Sequence, residues 1–281
     1  MGQTAPKRRR RFPLTRTPIP YLPAELLDHI VDHLHDSQDA LRNCCLVSIS
    51  WIPRTRRHLF ADIKLTGKKN LNSWKHLFPD PSTSPARYAQ TLYIKSIEVI
   101  TAASEEPTGW IRGFSSIVHL KVDLPFLLPQ GSMFTLVPFY GLSPALKSLH
   151  ITFTLLQSSQ LFDLIHSFPL LEDLGVITYF NVWTDDGGGS IETLTMAQPQ
   201  SLPKLTGSLE LLMCPGIKPI AHRLLSLPGG VHFRKLTFTW YRDEDLSPAI
   251  AMVNECSSTL ESLEIESQHL GTPIKYPRQR Q

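Results

Sequence analysis

His29 and His33 stand four residues apart, with Asp32 and Asp36 beside them. That spacing puts two imidazoles on one helical face, an arrangement that metal sites use. No third ligand with a recognisable spacing follows, and the pair falls on the polar face of the helix expected there, so a solvated face is the better reading. Asp185-Asp186-Gly187-Gly188-Gly189-Ser190 is rich in the glycines that phosphate loops need. It lacks the Gly-Lys-Ser/Thr ending and leads no helix after a strand, and it reads as a surface loop. Cys44, Cys45, Cys214 and Cys256 form no C-x-x-C pair, so neither a zinc ribbon nor a disulfide framework is signalled. Reduced thiols in a cytoplasmic or nuclear protein are the simplest reading. No G-x-S-x-G or H-E-x-x-H motif is present, and Ser, His and Asp are scattered without the spacing of a triad. No catalytic residue, cofactor or metal is expected.

The chain around these residues has 281 residues, 42% of them hydrophobic and 19% charged. That composition excludes wholesale disorder and leaves room for one large domain or two smaller ones. The formal net charge of +3 hides two basic tails. Residues 1–16 carry Lys7, Arg8, Arg9, Arg10, Arg11 and Arg16 without an acid, and residues 267–281 carry Lys275, Arg278 and Arg280 without an acid. Residues 17–266 hold 19 basic against 25 acidic residues, a net of −6. A general nucleic-acid-binding face is therefore not supported. Lys7 to Arg11 fits a nuclear import signal and equally a disordered basic arm spanning residues 1–20. No apolar run approaches the ~20 residues of a membrane span, and no secretory signal opens the chain.

Residues 21–60 carry a helical pattern. Leu22-Pro23 precedes Ala24-Glu25, a helix-start signal. Leu26, Leu27, Ile30, Val31 and Leu34 then share one apolar face, with Asp28, His29, Asp32 and His33 on the other. A second helix is predicted from about Asp39, and a third segment carries Trp51 and ends at Leu59-Phe60. A helical unit this small buries too little apolar surface to stand comfortably alone, so it needs a neighbour.

From Phe60 a unit of the form apolar-x-x-Leu-x-apolar recurs, a short strand with alternating inward residues. Its central positions are Ile63, Leu92, Leu120, Leu149, Leu174, Leu209, Leu236 and Leu263, at spacings of 29, 28, 29, 25, 35, 27 and 27 residues. Intervals of that length suit crossover connections and hence parallel strands. Helices are predicted around Leu71, Trp74, Leu77 and Phe78; around Leu161 to Phe168; around Leu224, Leu225 and Leu227; and around Ile250, Met252 and Val253. Strand plus crossover at this period describes a degenerate leucine-rich-repeat-like solenoid over 61–266, followed by a basic tail over 267–281. The consensus Asn or Cys after the strand is met only by Cys214. No helix is predicted to cover the last repeat, so the expectation is a truncated chain or an end that pairs with a partner. The fold class expected is α/β, a three-helix unit followed by a parallel sheet.

Leu22-Pro23-x-Glu25-Leu26-Leu27, Ile30, Leu34, then Leu41, Cys44, Val47, Ser50-Trp51 and Leu59-Phe60 resemble an F-box. With the repeats that follow, the chain resembles the F-box proteins with degenerate leucine-rich repeats of the type expanded in mushroom-forming fungi. The resemblance implies a substrate-recognition subunit of a Skp/cullin/F-box ubiquitin ligase, without catalysis of its own. It implies that Leu22, Pro23, Leu26, Leu27, Ile30, Leu34, Leu41, Val47 and Trp51 face a Skp-family adaptor, which links the chain to a cullin. Ile49 departs from the polar or basic residue of many relatives. An unknown protein substrate would meet the outward strand residues His119, Lys121, Ser148, His150, Asp173, Ser208, Glu210, Lys235, Thr237, Ser262 and Glu264. These mix signs and give no charge preference. Tyr179, Phe180, Trp183, Trp240 and Tyr241 are the aromatic anchor candidates, because aromatics are enriched at interface hot spots, although plugging the core suits them as well. The rival readings are a ligase-independent interaction scaffold and a nuclear tether using the basic arm.

Overall fold

The computed structural model describes residues 22–105, 110–124, 136–140, 142–153, 158–178, 203, 205–212, 218–240, 246–267 and 274–275. The basic arm therefore lies outside the described residues, as do Tyr179, Phe180, Trp183, Cys214, Tyr241 and the 185–190 loop. The chain divides into two compact units, Met1–Thr55 and Arg56–Gln281. The division falls at Thr55 rather than at the Phe60 expected from the sequence.

The first unit is helical. α1 spans Ala24–His33 and begins at Pro23, whose fixed φ suits a helix start. α2 spans Gln38–Val47, and Ser37 caps it by accepting a hydrogen bond from the Ala40 amide. A 3-10 turn at Ile49–Trp51 runs into α3, Ile52–Leu59, which crosses into the second unit. Thr55 is fully buried and donates its hydroxyl proton to the Trp51 carbonyl.

The second unit is built on one sheet whose strand order is its chain order. β1 (Asp62–Leu65), β2 (Thr91–Ile94), β3 (His119–Asp123), β4 (Ser148–Phe153), β5 (Asp173–Thr178), β6 (Ser208–Leu212), β7 (Lys235–Trp240) and β8 (Ser262–Ser267) pair in parallel. β9 (Ile274–Lys275) pairs antiparallel with β8. That pairing meets β8 at Glu264 and Ile265, and no helix follows β8 among the described residues. Between the strands lie α4 (Lys68–Leu77), α5 (Ile97–Glu105), α6 (Ser158–His166), α7 (Lys218–Leu225) and α8 (Leu246–Glu255), with 3-10 turns at Pro85–Tyr88, Trp110–Gly113 and Val137–Phe139. α5 carried no recognised signal in the sequence.

The eight central positions stand in one lateral row, each the register partner of the next from Ile63 to Leu263. Two residues on, Leu65, Ile94, Val122, Ile151, Val176, Leu211, Phe238 and Ile265 form a second row. Apart from Ile265, both rows join the hydrophobic core with helix residues such as Leu71, Ile100, Leu164, Leu224 and Met252. Parallel crossovers share one hand, so strands laid down in sequence send the described helices to the same side of the sheet. The other side is left open.

The repeats are tied together by backbone. Ahead of each strand, amides of one repeat donate to the equivalent carbonyl of the repeat before: Gln90 to Ala61, Val118 to Gln90, Lys147 to Val118, Glu172 to Lys147, Gly207 to Glu172, Arg234 to Gly207 and Glu261 to Arg234, at 2.7–3.0 Å. Two hydroxyls add to this, Ser143 donating to the Ser115 carbonyl and Thr259 to that of Phe233. The repeat therefore persists where the consensus side chain is missing. Near the first repeats, Phe60, Trp74, Phe78, Phe114 and Trp110 make successive aromatic contacts, with Trp74 and Phe114 stacked at 5.7 Å. Leu77 and Ile250, expected on buried helix faces, are exposed instead. α4 and α8 bury Leu71, and Ala249 with Met252, and turn those two residues outward. Among the described residues, no helix is long and apolar enough to cross a membrane.

Candidate functional sites on the helical unit and the open sheet face

The apolar face expected on α1 is largely uncovered. Val31 is buried, Leu27 and Leu34 are half-buried, and Leu22, Leu26 and Ile30 are 47%, 50% and 42% exposed. Pro23 is exposed beside them. At the end of α2, Val47 is exposed, with Leu46 at 86% and Ile49 at 85% next to it. Six large apolar side chains in water on so small a unit form the kind of surface that marks an interaction site. Leu41 is the correction here: it is 1% exposed and packs inside, so it cannot face a partner. Trp51 is half-buried. Leu46 was missed, because its place at the end of α2, beyond the packed Leu41 and Cys44, shows only when the helix is built.

His29 and His33 lie on the exposed face as expected, and only Asp32 departs from it. Arg54 grips the half-buried Asp32 with two donors, Nε to Oδ1 at 2.6 Å and Nη2 to Oδ2. Two parallel charge-assisted bonds lock α3 to α1. The same pairing holds the Arg54 guanidinium even further above its ordinary range, through the hydrogen bond to Asp32. His29 and His33 are exposed and meet each other at 3.1 Å between Nε2 atoms. Asp32 is committed to Arg54, and among the described residues no group of three or more His, Cys, Asp or Glu is placed to hold a metal ion.

The open face of the second unit carries the outward strand residues in register. The middle row reads Lys64, Tyr93, Lys121, His150, Gly175, Glu210, Thr237 and Glu264. The Tyr93 hydroxyl donates to Asp123 Oδ2 at 2.9 Å, and Lys121 Nζ lies 5.7 Å from the Tyr93 ring. Burial and that bond push the phenol up to about 12. The His150 ring lies across Gly175: a Cβ there would meet His150 Nδ1 at 2.2 Å. The ring thereby reaches toward Glu210 Oε2, 3.9 Å away, and Lys235 Nζ stands 3.9 Å from Glu210 Oε1. Burial holds His150 below its ordinary value, with Glu210 acting the other way. Asp173 Oδ1 accepts from the Ser208 amide at 2.6 Å and the Ser208 hydroxyl at 2.8 Å. Gly207 leaves room for this, since a Cβ there would meet the same oxygen at 2.2 Å.

Two of the outward residues are corrections. Ser148 and Thr237 are buried, because short side chains between longer ones on strands ~4.8 Å away are shaded by them. Their register neighbours are His119 and Asp173, and Glu210 and Glu264. His119, Lys121, Lys235 and Ser262 are exposed; His150, Asp173, Ser208, Glu210 and Glu264 are half-buried. Of the aromatic anchor candidates, only the backbone of Trp240 is described, ending β7 opposite Ser267.

The Ser208 hydroxyl gives its proton to a carboxylate rather than to an imidazole, so the nucleophile–base bond of a triad is not formed there. Cys44, Cys45 and Cys256 are free thiols, and burial raises that of Cys256 above its ordinary value. No family model, curated protein or solved structure matches the chain.

Proposed function

We propose that this protein is the substrate-recognition subunit of a Skp/cullin/F-box ubiquitin ligase. The observation that carries the reading is the uncovered apolar surface of Leu22, Leu26, Ile30, Leu46, Val47 and Ile49 on the helical unit. Burying one Leu-sized side chain yields ~1.5–3 kcal/mol, so a few of these anchors suffice for a stable interface with a folded adaptor. The repeat sheet offers a second, open and polar face for a protein substrate. The chain then supplies proximity and orientation, and the chemistry belongs to other subunits.

Titration of the full chain with a purified Skp-family adaptor tests this. Binding at micromolar concentration or tighter is expected. Leu26→Asp with Ile30→Asp, and separately Leu46→Asp with Ile49→Asp, should each weaken it at least tenfold, about 1.4 kcal/mol. Their unfolding midpoints should stay within ~0.5 kcal/mol of the original, since exposed positions carry little stability. A wild-type chain that ignores the adaptor overturns the proposal.

A further inference from the structure

We infer that the open sheet face binds an extended peptide segment of bipolar charge, with acidic residues over β1–β3 and basic residues over β6–β8. The inference deepens the receptor reading by giving the substrate's charge pattern. Laid side by side in chain order, the outward residues carry more lysines on the first strands and more glutamates on the last. Lys64 on β1, Lys95 just past β2 and Lys121 on β3 are exposed on one half. Glu210 on β6, Glu264 and Glu266 on β8 occupy the other.

Charges of the opposite sign are present in both halves. Asp123 accepts the Tyr93 hydroxyl, and Lys235 stands 3.9 Å from Glu210. Asp62 stays exposed at the outer edge of the basic half. Lys275 on β9 is the register partner of Glu264. Lys64, Lys95 and Glu266 are exposed, and Glu264 is half-buried. Like charges lined up on one face repel, and a partner carrying the opposite pattern relieves both halves at once.

The length of the occupant follows from the sheet. Lys64 and Glu264 are seven register steps apart. At ~4.8 Å per step that is ~34 Å, the reach of about ten residues of extended chain. Between the halves Gly175 has no side chain, and the His150 ring takes the space a Cβ there would need.

The test is fluorescence anisotropy with the full chain and two labelled decapeptides of the same composition. One has four glutamates, two glycines and four arginines in blocks; the other alternates the charges. The blocked peptide should bind at least tenfold tighter, and the difference should shrink with salt. Lys64→Glu with Lys121→Glu should abolish the preference. Adding Glu264→Lys and Glu266→Lys to that pair should restore it, because the peptide then lies the other way round. Equal affinity for the two peptides overturns the inference, as does a preference that survives Lys64→Glu with Lys121→Glu. So does equally tight binding of a uniformly basic decapeptide. Binding that emerges only after residues 1–16 are removed also overturns it, assigning the acidic half to the chain's own basic arm. No adaptor is involved, so failure here leaves the adaptor titration standing as a separate result.

Discussion

His150 and Gly175 depend on each other. The ring occupies the volume that any side chain at 175 would need, with Nδ1 only 2.2 Å from an added Cβ. Gly175→Ala should therefore displace the ring and cost ~1–3 kcal/mol in urea unfolding, the usual range for overpacking. In a His150→Ala background the same change should be nearly free; equal costs in both backgrounds would show that the ring is not the obstacle. Acid should act on the same residue. Burial depresses the folded values of His150 and His166, so the unfolded chain binds more protons once the pH falls below its own value of about 6.5. Their contribution to stability is complete above that pH and is lost as the pH drops through the folded values. Replacing both with Gln should flatten the fall in unfolding free energy between pH 7 and pH 5. A profile unchanged by the double replacement would place the titration elsewhere.

Strands β1 to β7 each contribute at least two core residues, and α4, α6, α7 and α8 add residues to the same core. Leu174 sits in the central row between Leu149 and Leu209 and is fully buried. Leu174→Ala should cost ~2–5 kcal/mol, the range for deleting a buried leucine side chain. Leu77→Ala on α4 and Ile250→Ala on α8 should each cost under ~0.5 kcal/mol, as exposed positions do. Urea midpoints for the three variants check the ranking. The strands were legible because alternation has period two and the repeat returned eight times. The helices were legible less well. Apolar residues at helical spacing mark a face, but which of them is covered depends on what lies against it. On α8 the packed residues are Ala249 and Met252, while Ile250 looks out.

At the level of the whole chain, the parallel sheet leaves two lateral edges, and β9 covers β8 at only Glu264 and Ile265. An uncovered strand edge is a template for pairing with another chain. Removing residues 268–281 should therefore raise the concentration-dependent mass in light scattering relative to the full chain; no change would mean that β9 does not protect the edge. By itself the sequence determined the α/β class, the helical segment ahead of the repeats, and the eight central positions from Ile63 to Leu263. These follow from local periodicity and from the spacing that a parallel crossover requires. It also displayed the leucines and isoleucines of residues 22–49, without separating the packed Leu41 from the exposed Leu26, Ile30 and Leu46. Only the tertiary structure decided that, because burial is a property of neighbours brought together by folding. The same holds for the open face. Its residues are 25 to 35 positions apart in the chain, and only the register of the strands brings them side by side on one surface.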